Sequence, residues 1–189
     1  MTYSEGTERL QKITIDRRPA ESIPPQFGLW SEGEFSPLIL TVLQQANRPQ
    51  LSFRGEETLE GTPALVSNYR ISQYDNSGWG WRLDEKVFRP GFHGSIWIEK
   101  TTGRLLRLTR EARAALQEID SWLPYVAVAS DTWYGEVEVS GLGKFFLPVR
   151  SQLVSCARGI RICNRNVLTF RNCRKFAGKA RIITDAPQP

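Results

Sequence analysis

The chain has little of what usually marks an active site. It holds one histidine, one methionine and three cysteines among 189 residues, and the cysteines run Cys-x6-Cys-x9-Cys. A zinc site asks for much closer ligand spacing, so no metal is expected, and nothing in the pattern calls for another cofactor. No Gly-rich phosphate loop, nucleophile elbow or metalloprotease helix occurs, and the sequence predicts no enzyme. Absent too is any apolar run near the roughly eighteen residues of a membrane-spanning helix. The best stretch is LPYVAVAS at 123–130. The opening MTYSEGTERLQK lacks the basic start and apolar core of a secretory signal.

What is present points to a folded β protein. Hydrophobic residues make up 40% and charged residues 24%, too apolar for a disordered chain. The length suits a single domain that holds its core without staples. We expect one domain over 1–189, with an irregular segment at 1–35 and a β-rich body at 36–183. Charge is unevenly spread: from Lys144 onward ten Lys or Arg face one acid, Asp185, so this part carries +9 and the rest −4 of a +5 total. Such a skew suits an anionic neighbour or the solvated face of a sheet.

The first 35 residues are rich in Pro, Gly, Ser and charge, with one strand signal at Ile13 and Ile15. Ser36 as N-cap, Pro37 at the first helical position and a Leu38, Val42, Leu43 stripe predict a helix over 37–46, stopped near Asn47 and Pro49. From Leu51 the period becomes two: Leu51 and Phe53, then Leu65, Tyr69 and Ile71, then Trp133, Val137 and Val139. TTG at 101–103, GLG at 141–143 and ARGI at 157–160 read as hairpin connections. Long helical crossovers are scarce, which predicts an antiparallel meander. Leu105, Leu108, Ala112, Ala115, Leu116 and Ile119 fall at helical spacing, yet Leu106 and Leu108 also pair back on Ile98 and Ile96 across TTG. We expect a strand to about Thr109, then a short helix or loop. SQYDNSGWGWRLDEKVFRP at 72–90 has no clear period and reads as a mobile loop or a lid.

In GSIWIE, Trp97 is opposite in parity to Ile96 and Ile98, so both faces of that strand are covered. One good helix beside many strands favours a mainly β (α+β) fold: a curved antiparallel sheet or half-barrel of about eight strands wrapping one helix. The runs GSIWIEKTTGRLLRL, WYGEVEVSGLGKFFLPVRSQLVSC and CNRNVLTFRNCRKFAGKARI resemble an uncharacterised group of exported bacterial domains over about residues 27–183. The group carries a tyrosine before RKF where this chain has Cys173. Its strand order is similar to that of periplasmic lipoprotein carriers, half-open barrels around a greasy cavity. The resemblance implies export to the periplasm or cell envelope and, from shape alone, a lipidic or apolar small-molecule ligand.

Candidate residues follow from parity. Phe53, Tyr69, Trp97 and Trp133 are the expected lining for an apolar ligand on the concave face. Placing Val149, Leu153 and Ser155 inward turns Cys156 outward, and Ile162, Leu168 and Phe170 inward turn Cys163 outward with Arg161 and Arg165. The two cysteines then oppose each other across the Gly159 turn, as a disulfide or as two reduced thiols. Cys173 is left over. Arg161, Arg165, Arg171 and Lys175 share parity, a row suited to an anionic partner. With Phe170 and Phe176 on the core side, no exposed aromatic accompanies that row, which weakens a nucleic-acid reading. His93 with Ser95 two residues on makes no triad. Glu136 and Glu138 alternate with valines as a solvated face does, not as an acid and base pair.

The sequence reading is a non-enzymatic, exported binding module for a lipidic or apolar ligand. The alternatives are a structural or protein-interaction domain without a cavity, and nucleic-acid binding through the basic row.

Overall fold

Alternating burial from Gln50 onward is realised as one sheet. The computed structural model describes residues 2–4, 7–9, 13–21, 37–83, 86–113, 125–157 and 163–174. The N-terminal part holds two small hairpins, β1 (Thr2–Ser4) with β2 (Thr7–Arg9) and β3 (Ile13–Ile15) with β4 (Arg18–Ala20). The strand expected at Ile13 and Ile15 therefore has a partner, in a region read mostly as loop. Helix α1 covers Pro37–Leu43, and after an extended Gln44 a 3-10 turn follows at Gln45–Asn47. The expected helix over 37–46 is thus cut short. Of its stripe, Val42 is fully buried while Leu43 is half exposed; the Ser36 cap lies outside the described residues.

The body is a seven-stranded antiparallel sheet, mainly β, curved and not closed into a barrel. Its strands are β5 (Gln50–Leu59), β6 (Thr62–Ile71), β9 (Phe92–Glu99), β10 (Leu105–Arg113), β11 (Tyr125–Val139), β12 (Gly143–Ala157) and β13 (Cys163–Thr169). They lie side by side in chain order. Between β6 and β9 a separate hairpin intervenes, β7 (Trp81–Leu83) with β8 (Lys86–Phe88). The TTG and GLG turns carry the positive φ that only glycine adopts at little cost, at Gly103 and Gly141. The turn at ARGI falls largely outside the described residues. Strand β10 runs four residues past Thr109, since Arg110, Glu111, Ala112 and Arg113 all pair with β11. Pairing along a fifteen-residue neighbour, not local helical spacing, decides that segment. Residues 114–124 lie outside the described residues.

One face of the sheet is covered. Tyr69, Ile71, Phe92, Leu108, Ala112, Val128 and Leu153 form its core with Val42 of α1, and Trp79 and Phe88 pack against it. Removing such side chains from water stabilises the fold by about 1.5–3 kcal/mol apiece. Two buried asparagines clasp the cover. Asn47 Nδ2 donates to the Thr41 carbonyl at 2.6 Å, and its Oδ1 accepts from Ser77 N and Oγ. Asn76 Nδ2 donates to the Trp79 and Pro90 carbonyls, while its Oδ1 accepts from the Gly78 and Trp79 amides. Of the two readings of this segment, a mobile loop or a lid, the packed-down one is realised at Trp79, whose ring lies 4.9 Å from Phe92 with Arg110 4.8 Å over it. The Trp81 side chain is outside the described residues.

Parity of Trp97 is explained by a second, smaller cluster on the other face. Trp97, Ala64 and Val66 are buried there against Leu59 and Leu106, whereas Ile96 packs on the covered face. Gly94 permits one close approach. It stands opposite Tyr69 in register, the Tyr69 hydroxyl donates to the Thr109 carbonyl at 2.6 Å, and a Cβ at Gly94 would sit 1.9 Å from that oxygen. Burial pushes the Tyr69 phenol above its usual pKa.

Candidate functional site

Register places the residues of the open face in rows that cross the strands. The first row runs Val66, Trp97, Arg107, Trp133, Arg150, Thr169, each opposite the next. The next row is short and polar: Ser52, Asn68, Ser95, Thr109, Asp131, Gln152. A third row holds Gln50, Arg70, His93, Glu111, Ala129, Val154 and Arg165. Beyond it stand Cys156 and Cys163.

Chemically the first row is a ladder of guanidinium and indole. Arg107 lies 4.6 Å from the Trp97 ring and 5.1 Å from Trp133, Arg150 lies 4.9 Å from Trp133, and Arg54 lies 5.4 Å from Trp97. Each contact draws a cation to a π face. Carboxylates anchor the ladder. Asp131 accepts two hydrogen bonds from Arg107, at 2.8 and 2.5 Å, a bidentate pair. Glu57 accepts from Trp97 Nε1 at 2.9 Å and pairs with Arg54. The Trp97 indole, then Arg54, hold the Glu57 carboxyl below its ordinary value.

The second and third rows line a trough of about 800 Å³. Short side chains in its middle leave that space. Ser95 Oγ donates to Asn68 Oδ1 at 2.8 Å, and the Ser95 amide donates to Thr109 Oγ1 at 2.9 Å. These bonds fix the floor, because Asn68, Ser95 and Thr109 each lose rotamer freedom to a neighbour. The trough crosses six neighbouring strands, β5 to β12. At ~4.8 Å per strand spacing that is about 24 Å of length. Arg70 and His93 are exposed in it, and neither forms an ion pair or hydrogen bond among the described residues. A smaller hollow of about 380 Å³ lies beside the ladder, lined in part by Leu59, Leu106, Trp133 and Phe146.

The expected apolar lining does not assemble. Phe53 is 67% exposed on the β5 edge and, like Tyr69, has the parity of the covered face. Tyr69 is buried and its hydroxyl is spent on Thr109. Trp97 and Trp133 do share the open face, but arginines occupy their rings. The correction has a plain cause. Phe53 pairs with Ser67, of the same parity as Tyr69, whereas Trp97 pairs with Val66 and shares a row with Trp133, so register divides the four aromatics between the two sides of the sheet.

The cysteine register is as expected: Cys156 and Cys163 are directly opposed and bonded as a disulfide, and Cys173 is free and half-buried. Of the basic row, Arg165 is exposed on β13 and Arg171 is exposed just past its end; Arg161 and Lys175 lie outside the described residues. Glu136 pairs with Lys144 at 2.5 Å, which lowers its pKa, the reverse of what a general acid requires. Among the described residues no cluster of three or more His, Cys, Asp or Glu could hold a metal, and no helix is long and apolar enough to cross a membrane.

Sequence reasoning missed the polar row. Its signal was present as one small polar residue at the centre of each strand, in the parity of Trp97 and Trp133, but it becomes a row only once registers are known. No family model, curated protein or solved structure matches the chain.

Proposed function

We propose that the chain is a non-enzymatic binding module of an oxidising, extracytoplasmic compartment, holding an elongated hydrophilic ligand across the open face of its sheet. One observation carries the reading: six adjacent strands each contribute a polar side chain to one trough of about 800 Å³. A sheet that needs only solubility puts long charged side chains on its outer face. Here the central positions are Asn68, Ser95 and Thr109, too short to fill the surface and hydrogen-bonded into a rigid floor. The Arg107 and Trp133 ladder runs alongside as the neighbouring row. The disulfide supports the compartment, since such bonds persist where thiols are not kept reduced. A lipidic cargo is the weaker reading because the hollow offers hydroxyl, amide and charged groups where acyl chains need apolar ones.

The test is a plug. Ala129 is half-buried in the trough, between Glu111 and Val154 in register. Ala129→Trp fills the space without removing a hydrogen bond. A panel of hydrophilic oligomers, neutral and charged, is titrated into both proteins, with circular dichroism as the fold check. Binding by the native protein that falls at least about tenfold in the folded variant, a loss of ~1.4 kcal/mol, supports the reading. Purified protein that carries stoichiometric lipid, displaced by Ala129→Trp, would sink it.

One specific feature favours a protein partner instead. The edge strand β5 exposes Leu51 and Phe53, 55% and 67%, and among the described residues no strand pairs with its outer side. Phe53→Ala, at a residue outside the trough lining, would weaken partner capture and leave trough binding intact.

A further inference from the structure

Resting on that hydrophilic reading, we infer that the trough is built for an acidic oligosaccharide, with a carboxylate of the sugar chain seated between Arg70 and His93. The two stand directly opposite each other on β6 and β9, both exposed, both in the trough lining. Neither has an acid partner among the described residues. Across the same open face Arg107 is paired with Asp131 and Arg54 with Glu57. Glu111, on the far side of His93, has an interaction of its own and forms no pair with the imidazole. Of the basic side chains that line the trough, Arg110 donates to Ser130, and Arg70 and His93 are the donors left without an acceptor among the described residues. Gln50, opposite Arg70, adds an amide at the same corner. A guanidinium fork with a neighbouring ring N–H matches the planar oxygens of a carboxylate.

The rest of the lining selects the backbone of the ligand. Ser52, Asn68, Ser95, Thr109 and Gln152 present hydroxyl and amide groups, and Asp131 is already neutralised by Arg107. These groups both donate and accept, as sugar hydroxyls do. A peptide fits worse. The strands run across the trough, so their interior amides and carbonyls are spent in the ladder and none is free for a peptide lying along it. The apolar groups Leu59, Leu106 and Phe146 line the smaller hollow, which shares no lining residue with the trough.

Three probes decide the matter by calorimetric titration: a linear uronic-acid hexasaccharide, the same chain with its carboxyls reduced to alcohols, and hexaglutamate. The acidic sugar should bind about tenfold more tightly than the reduced one, a difference of ~1.4 kcal/mol. Arg70→Gln should erase that preference, the acidic and reduced chains then binding with equal affinity. Arg70 is exposed and unbonded, so the variant folds, and circular dichroism confirms it. Equal affinity for acidic and reduced sugar overturns the carboxylate seat while the hydrophilic trough stands. Hexaglutamate binding with neither sugar doing so overturns the sugar assignment in favour of a peptide. If no probe binds but another member of the hydrophilic panel does, this inference fails alone; if nothing in that panel binds, the proposed function falls with it.

Discussion

The two faces of the sheet come from alternate residues of the same strands and end in opposite states. On β6, β9, β10, β11 and β12 one parity supplies Tyr69, Phe92, Leu108, Val128 and Leu153, packed under α1 and Trp79. The other parity of the same strands supplies Asn68, Ser95, Thr109, Asp131 and Gln152, facing a hollow. The covered face gains stability by excluding water. The open face spends its side chains on one another, through the Arg107 to Asp131 pair and the Ser95 to Asn68 bond, and leaves space between them. One sheet thus separates holding the fold from meeting a ligand, because a period of two lets each task choose its residues independently.

The sharpest challenge to this division is at Gly94, where the faces share backbone. Gly94→Val places a Cβ against the Thr109 carbonyl, so we expect the largest loss, about 3 kcal/mol or more, with a Tyr69 ring no longer seated. Thermal unfolding with tyrosine fluorescence measures it. Next is Leu108→Ala, which opens a cavity under the covered face and should cost about 2–5 kcal/mol in denaturant unfolding. Gln152→Ala, across the sheet, should stay within about 0.5 kcal/mol. If the two cost the same, the division is wrong. Replacing Cys156 and Cys163 by serine releases the constraint on a seven-residue separation, and a loss of roughly 2 kcal/mol is expected on chemical unfolding.

The smallest effect concerns charge on the open face. Because the Glu57 carboxyl is depressed in the folded chain, its contribution is complete above the ordinary carboxylate range and fades as pH falls through the lowered value. Trp97→Phe removes the indole donor, the first cause of that depression. An NMR titration should then find the Glu57 pKa moved back up, with Arg54 alone holding it down. An unchanged titration would show that the ladder does not govern its carboxylates.

Much of the covered face was legible. Tyr69, Ile71 and Leu153 declared their side by alternation, and Val149, Leu153 and Ser155 against Leu168 gave the parity that opposes Cys156 to Cys163. Parity within one strand is local information, so it reads directly from residues two apart. The open face was not legible in the same way. Assigning Phe53, Tyr69, Trp97 and Trp133 to one concave surface treated aromatic residues as equivalent, when the strand-to-strand registers divide them. Likewise the segment at 72–90 shows no period, since its hold on the sheet comes through Asn47 and Asn76, buried polar groups that bond to backbone far from their own position in the chain.

By itself, then, the order of residues determined the strand class, the antiparallel order imposed by short turns such as that at Gly103, the place of the one α-helix and the side on which each strand turns its large apolar groups. Tertiary structure alone decided what stands beside what across the strands. Arg107 between two indoles, Asn68 bonded to Ser95, and Arg70 opposite His93 with no acid partner among the described residues are neighbours at separations of ten or more residues. Such neighbours depend on register, which the short turns and the packing of the covered face settle together.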